Sequence, residues 1–348
     1  MKKEKMEQTA AAIHQKALSI DAHFDLLFDV AAQRELGRKQ VIETDHLPQF
    51  IKGGWDVIVS SIFIDDDDLP EMALRKALNQ VSCLYSEIDE SPDKIMLCKS
   101  AADIMQAKQS GKVGIMLSFE GVEPLGTDIS LLRMFYELGV RMIGLTWSRR
   151  NTAGDGCAFD FKTRGMTGGI TDFGLTVIEE AERLGMIMDV THINDEGFID
   201  IMEHSTQPVI ASHSNSRVIT ETPRNLTDDQ LQKIAASGGV AGINAVSIIA
   251  AATDEGATVE KLVDHIEHMV KVVGTEHIGL GLDLCDMFKK YTSPEGRSKL
   301  PRTSFDVVDT HSGLHALTVA LLRRGFTKED IVKIYGRNML RVYENVLG

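Results

Sequence analysis

The sequence predicts an α/β protein built as a (β/α)8 barrel, a TIM barrel with extra C-terminal helices. Three observations carry that reading: eight short apolar or β-branched runs recur along the 348 residues, amphipathic segments separate several of them, and no dinucleotide-binding glycine signature follows the first run. Near-continuous apolar strands alternating with helices belong to a parallel sheet covered on both faces, and eight such units close it into a barrel. A doubly wound open sheet is the alternative. It is disfavoured because the first run continues as Asp21-Ala-His-Phe-Asp25 rather than as G-x-G-x-x-G.

The runs cover residues 18–23, 57–62, 113–119, 140–146, 186–191, 208–212, 239–244 and 277–282. Between them lie readable helix signals. Thr227-Asp-Asp-Gln230 has the form of a capping box and predicts a helix running toward Ala236, which Gly238 and Gly239 stop. Leu175 to Leu184 carries apolar residues at helical spacing and ends at Gly185, a residue that takes a left-handed C-terminal turn without strain. After the eighth run, helices are predicted from about His311 to Arg324 and from Lys328 to Val346, packing outside the barrel. Neither a repeat nor a domain boundary interrupts the chain, so one barrel domain is expected over residues 1–348, with a helical extension from about 311.

Apolar residues make up 43% of the chain and charged residues 25%, a globular balance with enough apolar mass for one large core. The formal charge of −14 and the lack of a Lys/Arg cluster argue against a nucleic-acid partner, and the same charge suits a site that attracts divalent cations. Cys83, Cys98, Cys157 and Cys285 lie far apart without C-x-x-C spacing and read as reduced thiols. The N-terminal segment never develops the apolar core of a secretory signal, and no stretch reaches membrane-spanning length. No membrane partner and a cytoplasmic residence are therefore expected.

In a (β/α)8 barrel the functional groups gather where the strands end. The ionisable residues at those positions are His23 and Asp25 after the first run, Glu120 after the third, His192 after the fifth, His213 after the sixth and Asp283 after the eighth. His23 and Asp25 are two residues apart, so an extended backbone points both the same way, and imidazole with carboxylate suits a zinc-type ion. Glu120 can offer one oxygen to each of two metals. His192 and His213 end consecutive parallel strands and bring two neutral imidazoles to one rim. Asp283 adjoins the first strand once the barrel closes, and there it can pass a proton from an activated water to a leaving amine. Alone, each has a plainer reading: a surface pair, a helix cap, a buried hydrogen-bonded histidine. Their convergence on one rim is what favours metal.

Other features read as structural. His311 and His315 have helical metal spacing but lack the glutamate of H-E-x-x-H, which predicts a helix surface. His265, His268 and His277 fall off the rim, and His46 lies in the long loop after the first strand. Asp65 to Asp68 read as a solvated acidic loop, with a substrate ammonium as the alternative role. Asp286 competes with Asp283 but is already in the loop, while Phe135 and Tyr136 fit core or helix packing. The long loop from Ser148 to Thr167 is expected to touch substrate.

At these residues the chain resembles the membrane (renal) dipeptidase family of zinc peptidases along nearly its full length. The resemblance rests on DAHFDL, SFEGVEPLG, GVRMIGLTWSRRN, GGITDFG with RLGMIMDVTH, PVIASHSNSR, TPRNLTDDQL, VDHIEH with HIGLGLD, and GRNMLRV, in that order. It implies a barrel of the metal-dependent hydrolase type holding two zinc ions: His23, Asp25 and Glu120 on one, Glu120, His192 and His213 on the other. It also implies that Asp283 shuttles the proton, that Arg224 pairs with the substrate's carboxylate, and that the protein is a homodimer. One departure stands out. Many members have Leu-Thr-His where this chain has Leu145-Thr146-Trp147, so an indole that cannot accept a hydrogen bond replaces a histidine near the scissile carbonyl. Val246 stands where mammalian members have a tyrosine.

The expected reaction is hydrolysis of a small dipeptide by a hydroxide bridging the two ions, with other divalent transition metals as possible occupants. Trp147 leaves open an amidohydrolase acting on another small amide, such as an N-acyl amino acid. A catalytically silent metal-binding barrel is the remaining alternative.

Overall fold

The computed structural model describes residues 3–162 and 165–348. Its strands are β1 (Ile20–Phe24), β2 (Val57–Ile62), β3 (Ile95–Leu97), β4 (Val113–Glu120), β5 (Val140–Gly144), β6 (Ile187–Asp189), β7 (Ala241–Ile243) and β8 (Ile278–Leu280). Strands β1, β2, β4, β5 and β6 pair in parallel in that order. Parallel bridges Asp189–Ile210 and Ala211–Ala241 carry the sheet through the sixth apolar run to β7, which pairs with β8. The Asp283 N–H then donates to the His23 carbonyl at 3.2 Å, and the Leu282 N–H to Asp21 Oδ1 at 2.8 Å. The curled parallel sheet of a (β/α)8 barrel results.

Two glycines make the last part of this sheet possible. A Cβ at Gly242 or at Gly281 would lie 2.0 or 1.9 Å from the Ser212 carbonyl oxygen, so no other residue lets these strands approach the sixth run so closely. Strand β3 has no counterpart among the sequence expectations. It pairs with the start of β4, off the barrel path, and its three residues are too short to show a period.

The helices follow their local signals. The Thr227 hydroxyl accepts from the Gln230 N–H at 3.2 Å while Gln230 Oε1 accepts from the Thr227 N–H at 2.9 Å, opening the helix Asp228–Ala236. Such a cap is worth about 1 kcal/mol. The helix Asp172–Leu184 starts three residues before the apolar pattern does, because Thr171 caps the Gly174 N–H at 3.1 Å, and it ends at Gly185 with φ 73°. At the C-terminus, Leu314–Arg323 is followed by Lys328–Val332, a π-helical turn at Lys333–Arg337 and a last helix at Asn338–Leu347. Met339, Val342 and Tyr343 of that helix join a buried cluster with Ile20, Val57, Met116, Ile187 and Ile210. Ile20, Met116, Ile187 and Ile210 precede the candidate ligands along their runs and Val57 opens β2, so the final helix covers the end of the barrel opposite the rim.

Candidate metal centre

The rim brings together every residue the strand ends nominated. His192 Nε2 lies 3.0 Å and His213 Nε2 3.8 Å from Glu120 Oε1, while His23 Nε2 lies 3.6 Å from Glu120 Oε2, 3.9 Å from Asp25 Oδ1 and 3.8 Å from Asp283 Oδ1. Two overlapping donor sets follow, His23 with Asp25 and Glu120, and Glu120 with His192 and His213, each with donor atoms within 4.8 Å of one another. A third set of the same span joins His23, His213 and Asp283. His192 and Asp283 reach the centre from left-handed backbone, at φ 68° and 56°, a conformation that costs a non-glycine residue roughly 1 kcal/mol or more.

Hydrogen bonds behind the rim orient these side chains. Ser212 Oγ lies 2.8 Å from His213 Nδ1, and Ser148 Oγ lies 2.8 Å from His192 Nδ1, leaving each Nε2 toward Glu120. The Ser61 hydroxyl donates to Asp25, and Asn244 Nδ2 donates to Asp283 Oδ2 at 2.8 Å. Strand-end reasoning confined to ionisable groups misses Asn244, although it closes the seventh run. Ser61 and Ser212, whose hydroxyl donates to Asp189, carry no sequence mark of their role.

Electrostatics point the same way. Burial holds the imidazoles of His192 and His213 well below their ordinary range, and burial with the nearby Arg224 charge lowers His23 to about 3. Burial and the charges of Asp25 and Asp283 raise the Glu120 carboxyl well above its usual value, and burial raises Asp25. Asp283 is pushed up to about 8 by burial and by Asp25. His23 Nε2, His213 Nε2 and Glu120 Oε2 are buried without a hydrogen-bond partner. Neutral imidazole nitrogens and carboxylate oxygens are ligands for divalent ions of the zinc type, so the donor set fits a metal.

A cavity of about 530 Å³ opens on this centre, lined by Arg224 and Trp147 as well as Glu120 and His192. Arg224 is 3% exposed and its Nε has no partner. Phe159 lines the same cavity, so the loop from Ser148 to Thr167 reaches the site, its residues 163 and 164 lying outside the described residues. Val246 lines it too, together with Phe63, Phe288 and Leu300, which no sequence pattern singled out.

Two expectations need correction. His311 is not on a helix surface: it is 2% exposed, and its Nε2 lies 2.8 Å from Asp21 Oδ2 beneath β1, where a buried carboxylate requires a donor. His315 does sit partly exposed, 2.6 Å from Glu7. The acidic loop is not simply solvated either. Asp65 is buried and accepts from the Ser293 N–H at 2.9 Å, and Asp66 pairs with Lys299 at 2.6 Å and Arg149 at 3.5 Å, fastening the loop after β8 to the rim. Asp67 alone of the four is exposed. His46 is buried against Asp29 at 2.7 Å, and His265 bonds to the Ala250 carbonyl at 2.9 Å.

Comparison with known proteins gives consistent matches. The sequence profile described as membrane dipeptidase (peptidase family M19) matches residues 7–347. The chain is 27% identical to dipeptidase tcpJ of Claviceps purpurea over 308 residues, 86% of this chain and 68% of that protein. It is 33% identical over 271 residues to an uncharacterised protein of the pqqA 5′ region of Klebsiella pneumoniae, 77% of this chain and 94% of that one. Dipeptidase verJ of Clonostachys rogersoniana is 30% identical, and the chain spans 66% of its length. Among solved structures, the metallopeptidase called dipeptidase AC superposes with TM-score 0.83 at 26% identity, over 95% of this chain and 99% of that one. A Rhodobacter sphaeroides metallopeptidase, liganded with a phosphinate mimic of the dipeptide L-Ala-D-Ala, shares the fold with TM-score 0.82 at 24% identity, over 95% and 99% of the two chains.

Proposed function

The chain belongs to the membrane dipeptidase family, peptidase family M19, and from that membership together with the rim geometry we propose that it is a two-zinc dipeptidase. In this reading His23, Asp25 and Glu120 hold one ion, and Glu120, His192 and His213 hold the other. The observation that carries it is the set of buried atoms His23 Nε2, His213 Nε2 and Glu120 Oε2, which converge on one point and have no hydrogen-bond partner. Ions bound there supply the Lewis acidity that activates water near neutral pH and polarises the amide carbonyl.

The chain's own residues supply the rest. Asp283, held by Asn244, takes a proton from the attacking water and delivers it to the departing nitrogen. Arg224 receives the substrate's carboxylate in its guanidinium fork, so that only short substrates bring their amide to the rim. Trp147 lines the cavity without accepting a hydrogen bond, and it favours a second reading in which the substrate is an N-acyl amino acid or another small amide. Cytoplasmic residence and a homodimer belong to the same proposal; among the described residues no helix is long and apolar enough to cross a membrane.

The test is metal analysis coupled to turnover. Purified protein reconstituted with zinc should hold two ions per chain and hydrolyse simple dipeptides, and alanine in place of His192 or Asp283 should abolish hydrolysis. Fewer than two ions with no turnover of dipeptides or N-acyl amino acids would leave a silent barrel.

A further inference from the structure

The cavity above the rim has an apolar lining that metal binding does not require. Trp147 is held edge-on by Phe63 and Phe159, with ring centroids 5.2 and 5.9 Å away, while the Arg149 guanidinium and the Lys299 ammonium lie 5.2 and 5.3 Å from its own centroid. So many contacts make the indole a fixed wall. A second apolar surface comes from Val246, Ile248 and Ile249, against which Phe159 and Leu300 pack. Both surfaces line the one cavity that also holds Glu120, His192, Asp283 and Arg224.

The charges along the wall are one-sided. Apart from Asp25, Glu120 and Asp283, the only acid lining the cavity among the described residues is Asp286, and Lys289 pairs with it at 2.6 Å. Lys290, Arg297 and Arg302 line it as well, with Arg302 tied to Asp254 at 2.6 Å. A cationic side chain entering here would shed water without meeting an unpaired carboxylate, whereas an apolar one would cover indole, phenyl and aliphatic surface. Two alanine-sized side chains would leave most of this surface wet.

From this lining we propose that the enzyme selects amide substrates bearing a bulky, apolar, non-cationic side chain beside the scissile bond, with Trp147, Phe159 and Leu300 as the residues that set the preference. The inference rests on the dipeptidase reading and names the substrate class of that same site.

The test compares kcat/KM of the zinc-loaded protein for Ala-Ala, Phe-Ala, Ala-Phe, Lys-Ala and Ala-Lys. The better phenylalanine dipeptide should exceed Ala-Ala by about tenfold or more, and both lysine dipeptides should fall below Ala-Ala. Trp147→Ala and Leu300→Ser should each reduce the Phe-to-Ala ratio several-fold. A lysine dipeptide that matches the phenylalanine ones, or ratios untouched by both variants, overturns the proposal. If no dipeptide is hydrolysed, the dipeptidase reading fails, and the pocket is then judged by binding alone. Trp147 is one of two tryptophans, the other being the buried Trp55, so its fluorescence reports occupancy. N-acetyl-phenylalanine should bind more tightly than Nα-acetyl-lysine, with a signal lost in Trp147→Phe; equal or tighter binding of the lysine compound overturns the inference by itself.

Discussion

His213 Nδ1 lies 2.8 Å from the Ser212 hydroxyl oxygen, and that hydroxyl donates its own proton to Asp189. The order of the chain sets the tautomer: the serine oxygen accepts the Nδ1–H, so the Nε2 lone pair faces Glu120 and is free for a cation. Ser212→Ala should weaken zinc binding by roughly tenfold or more, as read by competition with a chromophoric chelator. It should also lower stability by about 1–3 kcal/mol, because a buried Asp189 oxygen loses its partner. Unchanged zinc affinity would show that packing alone orients His213.

Metal loading should release protons at pH 7. Burial and neighbouring carboxylates raise Glu120 well above its usual range and hold Asp283 at about 8, which favours their protonated forms, whereas burial keeps His23, His192 and His213 neutral. Cations displace acid protons, whereas the neutral imidazoles bind through a lone pair without losing a proton. Calorimetry in two buffers of different ionisation enthalpy should give net release, and metal affinity should rise with pH up to about 8. Proton uptake on loading would contradict the assignment.

Arg224 is buried beside the centre with its Nε unpartnered. Arg224→Ala should lower kcat/KM for a free dipeptide by about 100-fold, corresponding to roughly 3 kcal/mol for a buried charge pair, chiefly through KM. Arg224→Lys should recover part of the loss, since an ammonium lacks the fork. A dipeptide amide should be far less sensitive; equal sensitivity of the two substrates would remove Arg224 from carboxylate recognition.

His265 gives the fold an acid-side weakness. Burial lowers it from 6.5 to about 4, with Nδ1 accepting from the Ser216 N–H at 3.1 Å and Nε2 donating to the Ala250 carbonyl at 2.9 Å. Between those values the unfolded chain binds the proton and the folded one does not, so the contribution is complete above about pH 6.5 and is lost as pH falls toward 4. Urea unfolding across that window should show His265→Gln losing less stability than the parent, by up to about 3 kcal/mol. Parallel pH profiles would refute the role.

Much of the candidate site is legible in the sequence because its donor residues sit at strand ends. His23, Glu120, His192, His213 and Asp283 each close or follow an apolar run that is visible in the chain itself, and barrel closure then leaves them little choice but to converge. His311 is misplaced by sequence reasoning because i, i+4 spacing says nothing about what a turn packs against, and its partner Asp21 lies 290 residues away. Asp65 and Asp66 are misplaced for the same reason, their partners Ser293 and Lys299 belonging to the loop after β8.

By itself the sequence determined the barrel, the strand ends and the candidate donor groups that meet on the rim, since hydrophobic period and donor chemistry are local properties of a chain. Only the tertiary structure decided which supports stand behind those groups and what the cavity is lined with. Ser212 joins Asp189 to His213, and Phe63, Phe159 and Leu300 come from three separate loops to meet around Trp147 and Val246. Such meetings depend on how long loops fold over the rim, a matter of packing between distant segments that no local pattern encodes.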